Sequence, residues 1–223
     1  MSLTVDRSLR LPHGQYYSRA QPKRAVVLHH TVGGSAKSSF AWWLQDPRVV
    51  GTAYLIERDG TIYEVFPPEC WAGHLGIKDV EAEKETIGIE LASEGALIEK
   101  GGDVWAFGAG TGKLLGRADE LLKAGRVVRL DIPWRGYQWF DAYDPPQVAA
   151  AIALVLELCD RFGIPRRLPL EAANGKADVR RWIGYRGVLH HAMVRKDKSD
   201  LHPRFPWREL ARALADPAWS AVA

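Results

Sequence analysis

The chain has 223 residues, of which 47% are apolar, and a formal charge of only +3 from 30 basic and 27 acidic side chains. An apolar fraction of that size supports a core without disulfides or metal staples, and the near balance of charge argues against a nucleic-acid binder, which concentrates basic residues in a stripe. Two distant cysteines, Cys70 and Cys159, give no disulfide framework, and no stretch reaches the roughly 20 apolar residues of a membrane span.

The N-terminal stretch MSLTVDRSLRLPHGQYY has no apolar secretory core, so the expected product is made in the cytoplasm without a signal peptide. Residues 1 to about 24 read as an irregular lead-in. Ala25 to Leu28 is a short apolar strand that runs into His29-His30 and breaks at Gly33-Gly34. Ser35 can cap a helix carrying Phe40, Trp43 and Leu44, which Pro47 ends. Thr52 to Glu57 and Thr61 to Phe66 flank Asp59-Gly60, a strong hairpin signal. Thr86 to Leu91 reads as a strand with Ile87 and Ile89 on one face and Gly88 and Glu90 on the other.

Residues 94 to 142, rich in glycine and aromatics, read as a long insertion of loops with one further hairpin. The run GAGTGK at 108–113 lacks the full spacing of a phosphate loop, and Leu114 follows its lysine. Asp144-Pro145-Pro146 opens the clearest helix. Val148, Ile152, Val155, Leu156 and Cys159 recur at helical spacing, and Gly163 and Pro165 end it. After a connector, Val188-Leu189 leads into a second pair, His190-His191, with Asp200 close behind, and Phe205 to Ala215 reads as a terminal helix. With no internal repeat or linker, one domain over 1–223 is expected.

Two histidine pairs, each ending an apolar run, and a nearby aspartate supply a normal three-ligand set for catalytic zinc, with a fourth position left for water. The alternative, core histidines that happen to have neighbours, is open on composition alone.

Six segments in order carry a resemblance: VVLHHT (26–31), TAYLIERDGTIYEVFP (52–67), WAGHLG (71–76), TIGIEL (86–91), DPPQVAAAIALVLELCDRFGIP (144–165), and HHAMVRKDKSD (190–200) followed by FPW. Together they resemble the zinc-dependent N-acetylmuramoyl-L-alanine amidases, the type-2 amidase family of muramyl amidases, phage endolysins and animal peptidoglycan recognition proteins. The likeness covers about residues 23–210 outside the insertion. It implies an α/β domain with a central mixed β-sheet flanked by helices, one Zn2+ ion, and hydrolysis of the amide between N-acetylmuramic acid and L-alanine in peptidoglycan.

Carried over by position, the resemblance makes His29 the first ligand and Asp200 the third. For the second, His191 keeps a histidine-x-x-aliphatic pattern with Val194, whereas His190 keeps a ten-residue spacing to the aspartate; His191 is favoured. Glu90 would face the attacking water, Lys198 would donate to the oxyanion, and His74 would line the substrate groove. Trp71, Trp105 and Trp134 are candidate contacts for glycan or stem peptide. The family's proline-glycine after the aspartate is Leu201-His202 here, which makes His202 a rival ligand, and Thr52 stands where some phage members carry a catalytic tyrosine. The expected partners are peptidoglycan or muropeptides, with no nucleic acid and no membrane insertion, for a monomer that reaches the wall through an accessory pore. A non-catalytic peptidoglycan-binding module and a cytosolic muropeptide-recycling enzyme are the alternatives.

Overall fold

The apolar run Ala25–His30 forms strand β1, and all six of its residues are buried. A strand buried on both faces belongs in the interior of a covered sheet. The computed structural model, which describes residues 3–108, 113–173 and 178–220, places it there. Ser35 accepts a hydrogen bond from the Ser38 N–H and caps α1 (Ala36–Gln45), as its position predicts. The hairpin β2 (Tyr54–Ile56) and β3 (Ile62–Glu64) is antiparallel. Gly60 in its turn has φ +90°, and a Cβ there would lie 2.8 Å from the Pro146 carbonyl oxygen, so only glycine fits. Helix α2 (Val80–Lys84) leads into β4 (Thr86–Leu91), whose Ile87 and Ile89 are buried.

Insertion strands β5 (Ala96–Lys100), β6 (Asp103–Phe107), β7 (Leu114–Arg117), β8 (Val127–Trp134) and β9 (Tyr137–Asp141), with short helix α3 (Asp119–Lys123), come next. Then follow α4 (Pro145–Phe162), a 3-10 turn at Leu170–Ala173, α5 (Val179–Trp182), β10 (Gly187–His190), α6 (His191–Val194), α7 (Trp207–Leu214) and α8 (Pro217–Ser220).

The central sheet has the order β10-β1-β4-β2-β3, with β10, β1, β4 and β2 parallel and β3 antiparallel. This is the expected mixed α/β arrangement. Helix α4 packs on β1, β2 and β4 through Val148, Ala151, Ile152, Val155 and Leu158. Burying each aliphatic side chain of this kind contributes roughly 1.5–3 kcal/mol. Asp144 occupies the cap position of α4 but makes no cap hydrogen bond. Pro145 and Pro146 fill the first turn and offer no N–H, so the carboxylate instead pairs with Arg126 at 3.4 Å and Arg58 at 3.7 Å. Both cysteines are free and buried. No helix among the described residues is long and apolar enough to cross a membrane.

The reading of residues 94–142 as loops with one hairpin is corrected. They form a second sheet, order β7-β6-β5-β9-β8, antiparallel throughout. One side of it buries Leu97, Val104, Ala118 and Leu121; another cluster joins Ala96, Phe107, Leu130, Trp134 and Phe140 to Ala192 of α6. The missed signal was Gly101-Gly102, with φ +64° and +84°, which forms a two-residue hairpin turn between the paired residues Lys100 and Asp103. The run at 109–112 within GAGTGK, read above as no phosphate loop, lies outside the described residues.

Candidate metal centre and active-site cleft

Parallel pairing brings the carboxyl ends of β1, β4 and β10 to one edge of the central sheet, the edge where open α/β sheets bind ligands. The register sets His29 beside Glu90 and Leu28 beside His190. β10 stops at His190, and His191 opens α6 over that edge.

His29, His191 and Asp200 converge there, all buried, and could hold a metal ion. His29 Nδ1 lies 3.0 Å from His191 Nδ1. Asp200 Oδ2 lies 3.1 Å from His191 Nδ1 and 3.4 Å from His29 Nδ1.

The surrounding hydrogen bonds decide which ring nitrogens carry protons. The Thr86 hydroxyl donates to the Ala82 carbonyl at 2.7 Å, so its oxygen accepts from His74 Nε2–H at 2.9 Å. His74 Nδ1 is then an acceptor, and His29 Nε2–H donates to it at 2.9 Å. On the other side, His191 Nε2–H donates to the Leu75 carbonyl at 2.9 Å. Both Nδ1 atoms therefore present lone pairs, and with Asp200 Oδ2 they make three acceptors facing one point. Such a cluster calls for a cation: a proton on one Nδ1, or a metal. The three edges of 3.0, 3.1 and 3.4 Å suit a tetrahedral zinc site, whose arms of about 2.0–2.1 Å give ligand–ligand edges of about 3.3 Å. Burial, reinforced by His191, holds the His29 imidazole well below its ordinary pKa, in the neutral form that coordinates. Burial alone would raise the Asp200 carboxyl, but the positive charge that His191 and His29 share with it when a proton occupies the cluster keeps it well below the usual carboxylate range.

The cluster sits in a cleft of about 490 Å³ that Glu90, Lys198 and His74 also line. Glu90 Oε2 is buried and has no hydrogen-bond partner among the described residues. Burial first and the Asp200 charge second push the Glu90 carboxyl up to about 8, against the pull of Lys198. His74 reaches the cleft, but both its ring nitrogens are engaged by His29 and Thr86, so it orients His29.

Other expectations find different places. His190 is turned away, its Nε2 2.8 Å from the Ala172 carbonyl and its Nδ1 accepting from Leu201 N–H at 3.1 Å; burial lowers it to about 4. The structure thus brings His191, rather than His190, to the Asp200 carboxylate. His202, the rival ligand, lies 3.3 Å from the Asp141 carbonyl, accepts from Arg204 N–H at 3.2 Å and stacks on Tyr143. His30 bonds the Tyr143 hydroxyl at 3.0 Å. Thr52 lines the cleft and rests its methyl against Gly88, where a Cβ would come within 2.5 Å.

None of the three candidate tryptophans lines the cleft. Trp71 is covered by Tyr17 with ring centres 4.0 Å apart, Trp105 donates to Lys100 O, and Trp134 donates to Ser199 O. The aromatic lining comes from Trp42, Trp43, Phe107 and Tyr137 instead, two of them from the added sheet. Sequence reading also missed Glu83, whose carboxylate accepts from the consecutive N–H groups of His74, Leu75 and Gly76 at 2.8–2.9 Å. That clamp fixes the Leu75 carbonyl that His191 uses. One of two glutamates in a short helix gives no local sign of such a role.

A profile of the N-acetylmuramoyl-L-alanine amidase family matches residues 19–203. No curated protein sequence is matched. Among solved structures, the chain is similar to the Escherichia coli amidase AmiD in complex with anhydro-N-acetylmuramic acid-L-Ala-D-gamma-Glu-L-Lys, at 21% identity and TM-score 0.52, over 88% of this chain and 59% of that one. It is also similar to the endolysin amidase LysCS from Clostridium intestinale, at 15% identity and TM-score 0.50, over 96% and 95% of the two chains. A third likeness is to AmpDh3 from Pseudomonas aeruginosa, at 19% identity and TM-score 0.50, over 95% and 66%. At these identities the structural likenesses speak for the fold, whereas the profile spans His29 to Asp200 and every element that carries the cleft. The chain belongs to the N-acetylmuramoyl-L-alanine amidase family.

Proposed function

We propose that the chain hydrolyses the amide between N-acetylmuramic acid and L-alanine in peptidoglycan, with one zinc ion held by His29, His191 and Asp200. The observation that carries this reading is the meeting of three buried lone-pair donors beside an unpaired carboxyl in an open cleft. When bound there, zinc supplies Lewis acidity, which polarises a carbonyl and makes water a better nucleophile near neutral pH.

The side chains do the rest. Glu90, which lines the cleft beside the three donors, takes a proton from the attacking water and returns one to the departing L-alanine amine. That return matters because an amide nitrogen leaves poorly unless protonated. Lys198 donates to the oxyanion of the tetrahedral intermediate. His74 keeps the His29 Nδ1 lone pair aimed into the cluster, and Leu75 does the same for His191.

The proposal also includes action on intact cell wall, release through an accessory pore and a monomeric state. Purified sacculi should lose turbidity and expose new L-alanine amino termini, and a chelator should stop both. Clearing without new L-alanine termini would sink the bond assignment. Cleavage of soluble muropeptides alone would replace wall lysis with recycling. Binding without cleavage at any zinc concentration would leave only a recognition module. Sedimentation tests the monomer, and lysis on co-expression with a pore-forming protein tests release.

A further inference from the structure

The β8–β9 turn reaches out of the added sheet and grips the segment that carries Lys198 and Asp200. Trp134 donates its indole N–H to the Ser199 carbonyl at 2.8 Å. Arg135 donates from Nη1 to the Lys196 carbonyl at 3.1 Å and from Nη2 to the Ala192 carbonyl at 2.8 Å. Two adjacent side chains thus hold carbonyls before and after Lys198. A planar guanidinium suits this, because its fork presents two donors in fixed geometry.

The backbone of the turn makes the same point. Trp134 pairs with Tyr137, and the two residues between them, Arg135 and Gly136, have φ +53° and +86°. This is a type I′ hairpin turn, which asparagine or glycine fills without strain and arginine does not. The turn alone would be better served by asparagine; the three carbonyls are served by arginine and tryptophan. The Arg135 guanidinium also lies 4.9 Å from the Trp134 ring centre, which fixes the two side chains to each other. Within the loop, Lys198 N–H reaches Arg195 O at 3.3 Å, Ala192 N–H reaches Asp200 O at 2.7 Å, and the Arg195 guanidinium pairs with the Asp197 carboxylate; the turn adds three bonds from outside it.

We infer that Trp134 and Arg135 are positioning residues that hold residues 196–199 so that Lys198 faces the cleft and Asp200 meets His29 and His191. The inference rests on the roles proposed above for Lys198 and Asp200. It gives the added sheet a function in the site beyond supplying a wall.

The test uses the full chain with two substitutions. Arg135→Asn favours the turn while removing the fork, and Trp134→Phe keeps an aromatic ring while removing the N–H. In each, amide hydrogen exchange across 195–201 should speed up roughly tenfold, with the rest of the chain unchanged. Zinc affinity, read by competition with a chromophoric chelator, should weaken roughly tenfold. On a soluble muropeptide, kcat should fall roughly tenfold with KM within about twofold. The melting temperature of Arg135→Asn should hold or rise. Unchanged exchange and zinc affinity would overturn the inference, as would a loss explained by a lower melting temperature and faster exchange everywhere. An inactive wild type would overturn the proposed function instead, and exchange and zinc binding would still decide this inference.

Discussion

His29 and His191 face each other Nδ1 to Nδ1 at 3.0 Å, although 162 positions separate them in the chain. Each imidazole spends its other nitrogen on a hydrogen bond to the protein, His29 on His74 and His191 on the Leu75 carbonyl. Neither ring can turn away without breaking that bond, so the two lone pairs and Asp200 Oδ2 are held together for a cation.

The first expectation concerns the ligand set. Asp200→Ala and His191→Ala should each lose zinc and activity together. His190→Ala should retain zinc at close to one ion per chain while losing roughly 1–3 kcal/mol of stability, because the Leu201 N–H and the Ala172 carbonyl lose a buried partner. Elemental analysis of the three purified variants decides it; zinc lost from His190→Ala and kept by His191→Ala would reverse the assignment.

His74 tests the proton chain behind His29. His74→Phe keeps an aromatic ring but removes both nitrogens, freeing His29 to rotate or to change tautomer. Zinc affinity should fall by about 10- to 100-fold. Thr86→Val should produce a smaller loss in the same direction, since it releases only His74 Nε2. Chelator competition on both variants measures the order, and a larger effect from Thr86→Val would contradict it.

Turnover should separate from metal binding at two positions. Glu90→Ala should keep zinc and lose turnover. Lys198→Ala should keep zinc and lower kcat by about 100- to 1000-fold, the usual loss on removing one oxyanion donor. Rates near wild type for either variant would remove that residue from the mechanism.

Glu90 also sets a pH signature in the metal-free chain. Its folded pKa is raised from 4.5 to about 8, so the folded chain keeps the proton longer than the unfolded one. The resulting stabilisation is complete below pH 4.5 and is lost as pH rises through 8. Glu90→Gln does not titrate there. The stability of chelator-treated wild type relative to Glu90→Gln should therefore decline across that window, as read by urea unfolding at fixed pH steps. A constant difference would show that Glu90 ionises at its ordinary pKa.

The two sheets are tied by a buried ion pair. Arg58, beside the first hairpin turn, reaches Asp141 at the end of β9 at 2.5 and 3.3 Å, and the Asp141 carboxylate also accepts from Glu94 N–H at 2.8 Å. Asp141 is 0% exposed. Arg58→Ala strands that charge and should cost roughly 3–5 kcal/mol. The double change Arg58→Met with Asp141→Asn should cost less than Arg58→Ala alone. Urea midpoints compare them, and a milder effect from Arg58→Ala would contradict this account.

Residue types and local periodicity determined much of this protein. The aliphatic run before His29, the Asp59-Gly60 turn, the alternation in TIGIEL and the helical spacing after Pro145-Pro146 each correspond to an observed element, because each is written in neighbouring residues. The ordered motifs identified the family, and the histidine pairs with Asp200 supplied the donors from which the cluster is made. The insertion reads as loops because its strands are half exposed and separated by glycine-containing turns; only pairing across 96–141 makes them a sheet.

Tertiary structure alone decided which histidine of the second pair turns to the cleft. Side chains alternate along a strand, so the answer depends on where β10 ends, and its pairing with β1 places that end at His190. It likewise decided that His74 serves His29, that Glu83 fixes the loop beneath His191, and that Trp134 and Arg135 hold the Lys198 segment. These are hydrogen bonds between groups far apart in the chain, whose strength depends on distance and direction in space, and local sequence encodes neither.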